Sequence, residues 1–169
     1  MTRDDTSEAL DPAAKKTVLR QLTYGLSAVT AAHGEVRGVF TANWLTQISF
    51  EPPLVALSVE RDSSTRPLIE ASGLFAICPL GSDQRDLAAA LGRPRARVGD
   101  KYAAYDLATR TSANGVPVLA DALGYIVCRV ADHIDAGDSV LFVAEVVEAA
   151  IYADGSPLTM REAGFRHAG

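Results

Sequence analysis

Apolar and polar residues alternate along much of this chain, and short unbroken apolar runs fill most of the remainder; both are strand patterns. Leu26–Ala42 ("LSAVTAAHGEVRGVFTA") reads as a hairpin turning at His33-Gly34-Glu35, which places His33 in solvent. "LTQISF" and "LVALSVE" are two further strands separated by Glu51-Pro52-Pro53. Proline lacks an N–H and forces the residue before it to be extended, so this pair ends ladder pairing and offsets the two strands. "LFAICPL", from Leu74, is a buried strand. Two long strands, "LGYIVCRVADHIDA" and "SVLFVAEVVEAAIYAD", close the pattern and are joined at Gly137-Asp138.

Helical spacing interrupts this pattern in a few places. Asp11-Pro12 has the form of an N-cap followed by proline at the first helical position, and Val18, Leu19, Leu22 and Leu26 continue at helical spacing to an end near Gly25. Thr65 or Ser64 caps a short helix stopped by Gly73, and Ser82 opens a helix that ends at Gly92. Arg93–Pro117 is irregular and partly helical. Antiparallel strands in succession with interposed helices suggest a mainly β barrel with helical decoration, and exclude a parallel βαβ sheet.

The length of 169 residues suits a single domain, assigned to residues 11–169 after a flexible N-terminus over 1–10. Charged residues make up 22% and no apolar run approaches a membrane span, so a membrane protein is not expected. The polar, acidic N-terminus lacks the basic start and apolar run of a signal peptide, which points to the cytoplasm. A net charge of −5 argues against nucleic acid as a partner. One cationic cluster stands apart, Gly92–Lys101 ("GRPRARVGDK"). It reads as a solvated loop between helices; the functional alternative is a flap touching a phosphate-bearing ligand. Cys78 and Cys128 lie within apolar runs without ligand spacing, so they read as reduced core thiols, and no metal site is expected.

Common nucleotide, zinc and nucleophile signatures are absent, and the histidines His33, His133 and His167 are scattered. What remains is a set of polar interruptions between strands: "TANW" followed by Thr46 and Gln47, "RDSST", "CPLGSDQ" and "HIDAGDS". Loops on a rigid barrel are where binding residues concentrate. Read as residues alone, Asn43 satisfies its own backbone in a turn, Thr41 is an ordinary strand residue, and Trp44 belongs to core or interface.

The run Gly38–Glu60, then "SSTRPLIEASGLFAICPLGSDQRDLA", a Gly-Asp pair before "VLFVAEVVEA" and a late Pro157-Leu158 resemble the flavin reductase-like, FMN-binding split-barrel family in motif order from about Thr17 to Pro157. The resemblance implies a six-stranded Greek-key split barrel, a homodimer and FMN at the subunit interface. It implies an NAD(P)H-dependent flavin reductase, with NADH or NADPH as cosubstrate and a partner monooxygenase as acceptor of the reduced flavin. A non-enzymatic flavin carrier and a flavin-dependent oxidoreductase on an organic substrate are the alternatives.

On the same basis Thr41, Ala42, Asn43 and Trp44 lie against the flavin ring and Thr46 and Gln47 continue the contact, with Trp44 either facing the ring or packed in the core. Arg61, Ser64 and Thr65 take the phosphate, and Ser82 is a helix cap first and a ligand second. The chemistry belongs to the bound flavin, whose reduction donors near the ring edge would favour. Where many relatives carry Gly-Asp-His, this chain has Gly137-Asp138-Ser139, which puts the nicotinamide contact in question. Ser139 and His133 are the possible contacts there; a locally bonded, strand-borne His133 is the plainer reading.

Overall fold

The computed structural model describes residues 10–166. After α1 (Pro12–Leu19), four strands follow: β1 (Ser27–His33), β2 (Val36–Ala42), β3 (Leu45–Ser49) and β4 (Leu54–Glu60). Helix α2 (Arg66–Ser72) leads into β5 (Leu74–Pro79), and α3 (Arg85–Leu91), α4 (Arg95–Val98) and α5 (Lys101–Ala104) precede a small hairpin, β6 (Thr109–Thr111) with β7 (Pro117–Leu119). Strands β8 (Gly124–Ala136) and β9 (Ser139–Ile151) form the long closing hairpin, followed by α6 (Met160–Ala163).

Seven strands make one antiparallel sheet in the order β2-β1-β5-β8-β9-β4-β3. The chain passes from one edge, β2, to the opposite edge, β3, through only Asn43 and Trp44. Three Cα steps span at most about 11 Å, whereas seven strands laid flat span about 29 Å. The sheet is therefore rolled until its edges meet, and the seam between β2 and β3 remains unpaired. This is the split barrel, with seven strands in its main sheet in place of the six expected.

Period-two alternation explains the unbroken apolar run of β5. Phe75 and Ile77 point into the barrel with Val29, Leu57, Ile69 and Phe142, while Ala76 and Cys78 face a second cluster with Leu80, Leu91, Tyr102 and Val118 under the helices. Both faces are covered, so both sets are apolar. Helix α2 supplies Leu68 and Ile69 to the interior and stops at Gly73, which is left-handed at φ 67°. Cys78 and Cys128 are buried free thiols, and burial pushes them up to about 11 and about 12.

Several expected boundaries move. Asp11 caps α1 by accepting from the Ala13 and Ala14 amides, but the helix ends at Leu19 and not near Gly25. Val18, Leu19 and Leu22 are exposed, so no packing of an apolar face sustains further turns. Ser82 does not cap α3. Its amide donates to Ser156 O while Gly81 bridges Pro157, and Ser82-Asp83 form a turn closed by the Gln84 amide on Gly81 O, so α3 starts only after Gln84. Thr65 precedes α2 without a side-chain capping bond. Strands β3 and β4 do pair, from Leu45↔Leu57 to Ser49↔Leu54, and the expected offset takes the form of a bulge between Gln47 and Ser49.

Candidate functional site

A cavity of about 780 Å³ opens along the seam. Phe40–Trp44 form one wall, Ser58 and Ser63–Thr65 another, and Ala88 and Ala89 of α3 with Arg93–Ala96 and Lys101 a third; Met160 and Phe165 close it from the C-terminal side. Its lining is mixed, apolar at Val39, Phe40, Ala42, Ala88 and Ala89, polar at Thr41 and Ser58, acidic at Glu60 and Asp62, and cationic along Arg93–Lys101.

Local structure fixes what each group can offer. The Thr41 hydroxyl donates to Ala88 O at 2.6 Å, so its proton is committed and only its lone pairs and main chain remain. Trp44 O accepts from the Ser58 amide at 3.0 Å, which extends the β3–β4 ladder and holds the crossover in place. Asn43 is different. Its Nδ2 is buried and has no hydrogen-bond partner, the one such side-chain atom among the described residues. A buried amide donor without an acceptor is costly, so it marks a place where a ligand atom completes the structure.

The cationic segment is stapled to the free edge of the sheet. Arg95 donates to Arg37 O at 3.2 Å, Tyr102 to Gly38 O at 3.0 Å and Lys101 to Val39 O at 3.1 Å. Three successive carbonyls of edge strand β2 are thereby covered. Arg37 in turn lies over the Tyr102 ring, 4.1 Å from its centroid. Lys101 also donates to Leu91 O at the C-terminal end of α3. It is 8% exposed, and burial, reinforced by the Arg95 charge, lowers its ammonium to about 8.

The flavin reductase-like domain model matches residues 19–169. The chain belongs to the flavin reductase-like family. Among its curated relatives, the reductase component of a 4-nitrophenol 4-monooxygenase/4-nitrocatechol 2-monooxygenase from Rhodococcus opacus is 35% identical over 98% of this chain and 85% of that protein. A probable flavin reductase from Rhizobium meliloti is 31% identical over 94% of this chain, which spans only 52% of that longer protein. Among solved structures, a nitrilotriacetate monooxygenase component B homologue from Mycobacterium thermoresistibile superposes with a TM-score of 0.79 at 29% identity, covering 90% of this chain and 84% of the other. The flavin reductase component of a bacterial two-component tryptophan halogenase gives 0.78 at 26% identity, covering 90% and 95%.

A flavin fits the cavity on an observation of this chain, since Asn43, whose buried amide nitrogen has no partner, belongs to a wall that also carries apolar Val39, Phe40 and Ala42, the mixture a flat ring with a polar edge requires. Of the residues expected from the sequence, Thr41, Ala42, Asn43, Trp44, Ser64 and Thr65 line it together. Thr46 and Gln47 do not: both are exposed, with side chains bonded to Gln47 O and Ser49 O on β3. Ser82 and Arg61 also lie outside the lining. Arg61 instead clips the β8–β9 hairpin to the end of β4, donating to Gly137 O at 2.9 Å and pairing with Asp135 at 2.8 Å.

Neither Ser139 nor His133 reaches the cavity. Ser139 is buried and donates to Asp138 at 3.1 Å, while His133 is exposed on β8 with its ring 6.2 Å from that of Phe142. Conversely, Arg93, Arg95 and Lys101 form a wall although their segment reads as a solvated loop. The available signal was the concentration of cations in an otherwise acidic chain. Lys101 followed by apolar Tyr102 gives no separate hint that both are buried.

Proposed function

We propose that this chain is the flavin reductase of a two-component system, using NADH or NADPH to reduce FMN and passing the reduced flavin to a partner monooxygenase. As a member of its family it is a flavin-dependent oxidoreductase; the nucleotide, the flavin and the acceptor are the parts proposed. The observation that carries the reading is the orphaned Asn43 amide on the cavity wall at the barrel seam. The names of the Rhodococcus relative and the halogenase component support the role of supplier.

Thr41, Ala42, Asn43 and Trp44 would hold the ring, with Asn43 donating to its polar edge, and Ser64 and Thr65 would hold the phosphate. Bound there, the flavin would supply two-electron chemistry as a hydride acceptor. The chain's own part is positional. The Asn43 donor is fixed before the ligand arrives, at low cost of reorganisation. Phe40, Ala42 and Phe165 would shield the ring from water. Thr46, Gln47, Arg61 and Ser82 have no place in this arrangement within one chain.

The functional unit is proposed to be a homodimer, which gives a covering for Ile48, Phe50 and Ile134, exposed at 48%, 88% and 54%. A sedimenting species at twice 17.9 kDa is expected. A carrier without nicotinamide chemistry is the second reading, favoured by one observation: no histidine is found in the cavity lining among the described residues. Anaerobic mixing of FMN-loaded protein with NADH and with NADPH separates the two. Bleaching of the flavin absorbance supports the reductase; no bleaching with either nucleotide, FMN remaining bound, leaves the carrier.

A further inference from the structure

We infer that Arg85 is a positioning residue that clasps Phe165 across the cavity as a cover, and that this clasp governs how fast flavin enters and leaves. The inference rests on the flavin reading above and adds to it a control on exchange, which a chain that passes its flavin on must allow.

The cover is built on a fixed base. Leu158 donates to Leu80 O at 2.8 Å and accepts from the Leu26 amide at 2.8 Å, Met160 donates to Tyr24 O at 2.9 Å, and the Thr159–Glu162 capping box closes the first turn of α6. Leu158 and Ala163 are each 1% exposed, so the chain is anchored up to this point. Gly164 then turns left-handed at φ 71°, a reversal that glycine makes without steric cost, and after it Phe165 and Arg166 line the cavity. Phe165 is only half-buried, resting against the cluster under the helices.

Arg85 supplies what holds it there. Its Nε donates to Ala163 O at 2.8 Å and its guanidinium lies 5.5 Å from the centroid of the Phe165 ring, within cation–π range; Asp86 pairs with the same group at 3.1 Å. One side chain thus binds both sides of the Gly164 turn. It stands at the start of α3, whose Ala88 and Ala89 form another wall of the cavity and whose Ala88 O takes the Thr41 hydroxyl. Wall and clasp therefore share one helix. A cation–π contact at an exposed site shifts an equilibrium only several-fold, so the cover is closed by default and opens often enough to pass a ligand.

The clasp and a direct contact differ in kinetics. A cover that closes over the empty and the filled cavity alike slows entry and exit together, whereas a residue that only touches bound flavin slows exit alone. Stopped-flow association and dissociation of FMN should be followed in wild type, Arg85→Gln, Phe165→Leu and the double variant, with thermal melts to confirm folding. Leucine keeps the apolar packing of Phe165 and removes the ring. Each single variant is expected to raise both rates by about two- to fivefold, the scale of one exposed cation–π contact, with Kd nearly constant. The double variant should match the singles, since both break the same contact. Acrylamide quenching of Trp44, the single tryptophan and itself in the lining, should rise in the same variants without flavin. The Arg85 side chain is 56% exposed, so its variant keeps the test open should Phe165→Leu not fold.

A rise in the dissociation rate alone makes Phe165 an ordinary contact and overturns the inference. So do effects that add in the double variant, which would separate Arg85 from Phe165, and so do unchanged rates or unchanged Trp44 quenching. If wild type binds no flavin, the flavin reading falls and Trp44 quenching alone decides the clasp.

Discussion

The barrel interior and the cavity share strands β2 and β4 but treat polarity in opposite ways. Inside the barrel, Val29, Leu57, Ile69, Phe75 and Phe142 meet with no polar atom left over, and Cys128 stays a neutral thiol. Along the seam, Asn43 keeps an unbonded donor, Lys101 a spare one, and acidic Glu60 and Asp62 share the lining with cationic Arg93–Lys101. The same β fabric can therefore be finished or left open. The open part is where a ligand is worth most, because completing a preformed polar wall costs little reordering.

The contrast is broken most severely from the interior. Phe75→Ala should cost about 3–5 kcal/mol of folding stability, read as a lower denaturant midpoint, with flavin binding lost only as the protein unfolds. Next comes pH. Both buried thiols have folded values raised above the ordinary 9.0, so the unfolded chain releases those protons first. Their contribution is whole below about pH 9 and declines as pH rises toward 11 and 12. Denaturation at pH 8 and pH 10 should show a smaller loss for the Cys78→Ala/Cys128→Ala double variant than for wild type.

A third change acts on the border between the two regions. A Cβ at Gly38 would lie 2.6 Å from Thr65 Oγ1 and 3.0 Å from Leu68 Cδ1. Gly38→Ala should destabilise by about 1–3 kcal/mol through overpacking and weaken FMN as well, since Thr65 must give way; melts and titrations made together would show both. Asn43→Leu sharpens the comparison by separating them. Apo stability should hold or rise by up to about 1 kcal/mol, while FMN affinity falls about tenfold; a fall in both would make Asn43 an ordinary structural residue. The smallest effect is expected at Arg61→Ala, where an exposed pair is worth about 1 kcal/mol or less and FMN affinity should not move.

Most strands were legible in the sequence because alternation and apolar runs record burial directly, as in β5. The turns at Gly34, Gly73 and Gly137 were legible for a similar reason, since each has positive φ, which glycine adopts without steric cost. In the site, the Thr41–Trp44 and Ser64–Thr65 positions came from resemblance, and the structure brings them together in one cavity. The cationic wall was legible only as the second reading of Gly92–Lys101, a flap touching a ligand, behind that of a solvated loop. Whether a lysine is solvated or buried depends on which edge its loop covers, and the covering of β2 by residues 95–102 is a tertiary fact. Arg61 misled for the same reason: its neighbours in sequence belong to the cavity, but its partners lie on a hairpin more than seventy positions away.

The crossover through Asn43 and Trp44 has a bearing on how the protein comes to be folded. Its two ends belong to opposite edges of one sheet, so the cavity they border cannot form until every strand between them is paired. That includes Leu54 with Glu145, contacts between distant parts of the chain of the kind that make β proteins fold slowly. Partly zipped chains have strands but no flavin site. A flavin that binds only the closed barrel draws the population toward it by mass action. Adding flavin during refolding should thus raise the yield of closed barrel without hastening the early strand pairings, and the onset of flavin quenching should lag the gain of β circular dichroism.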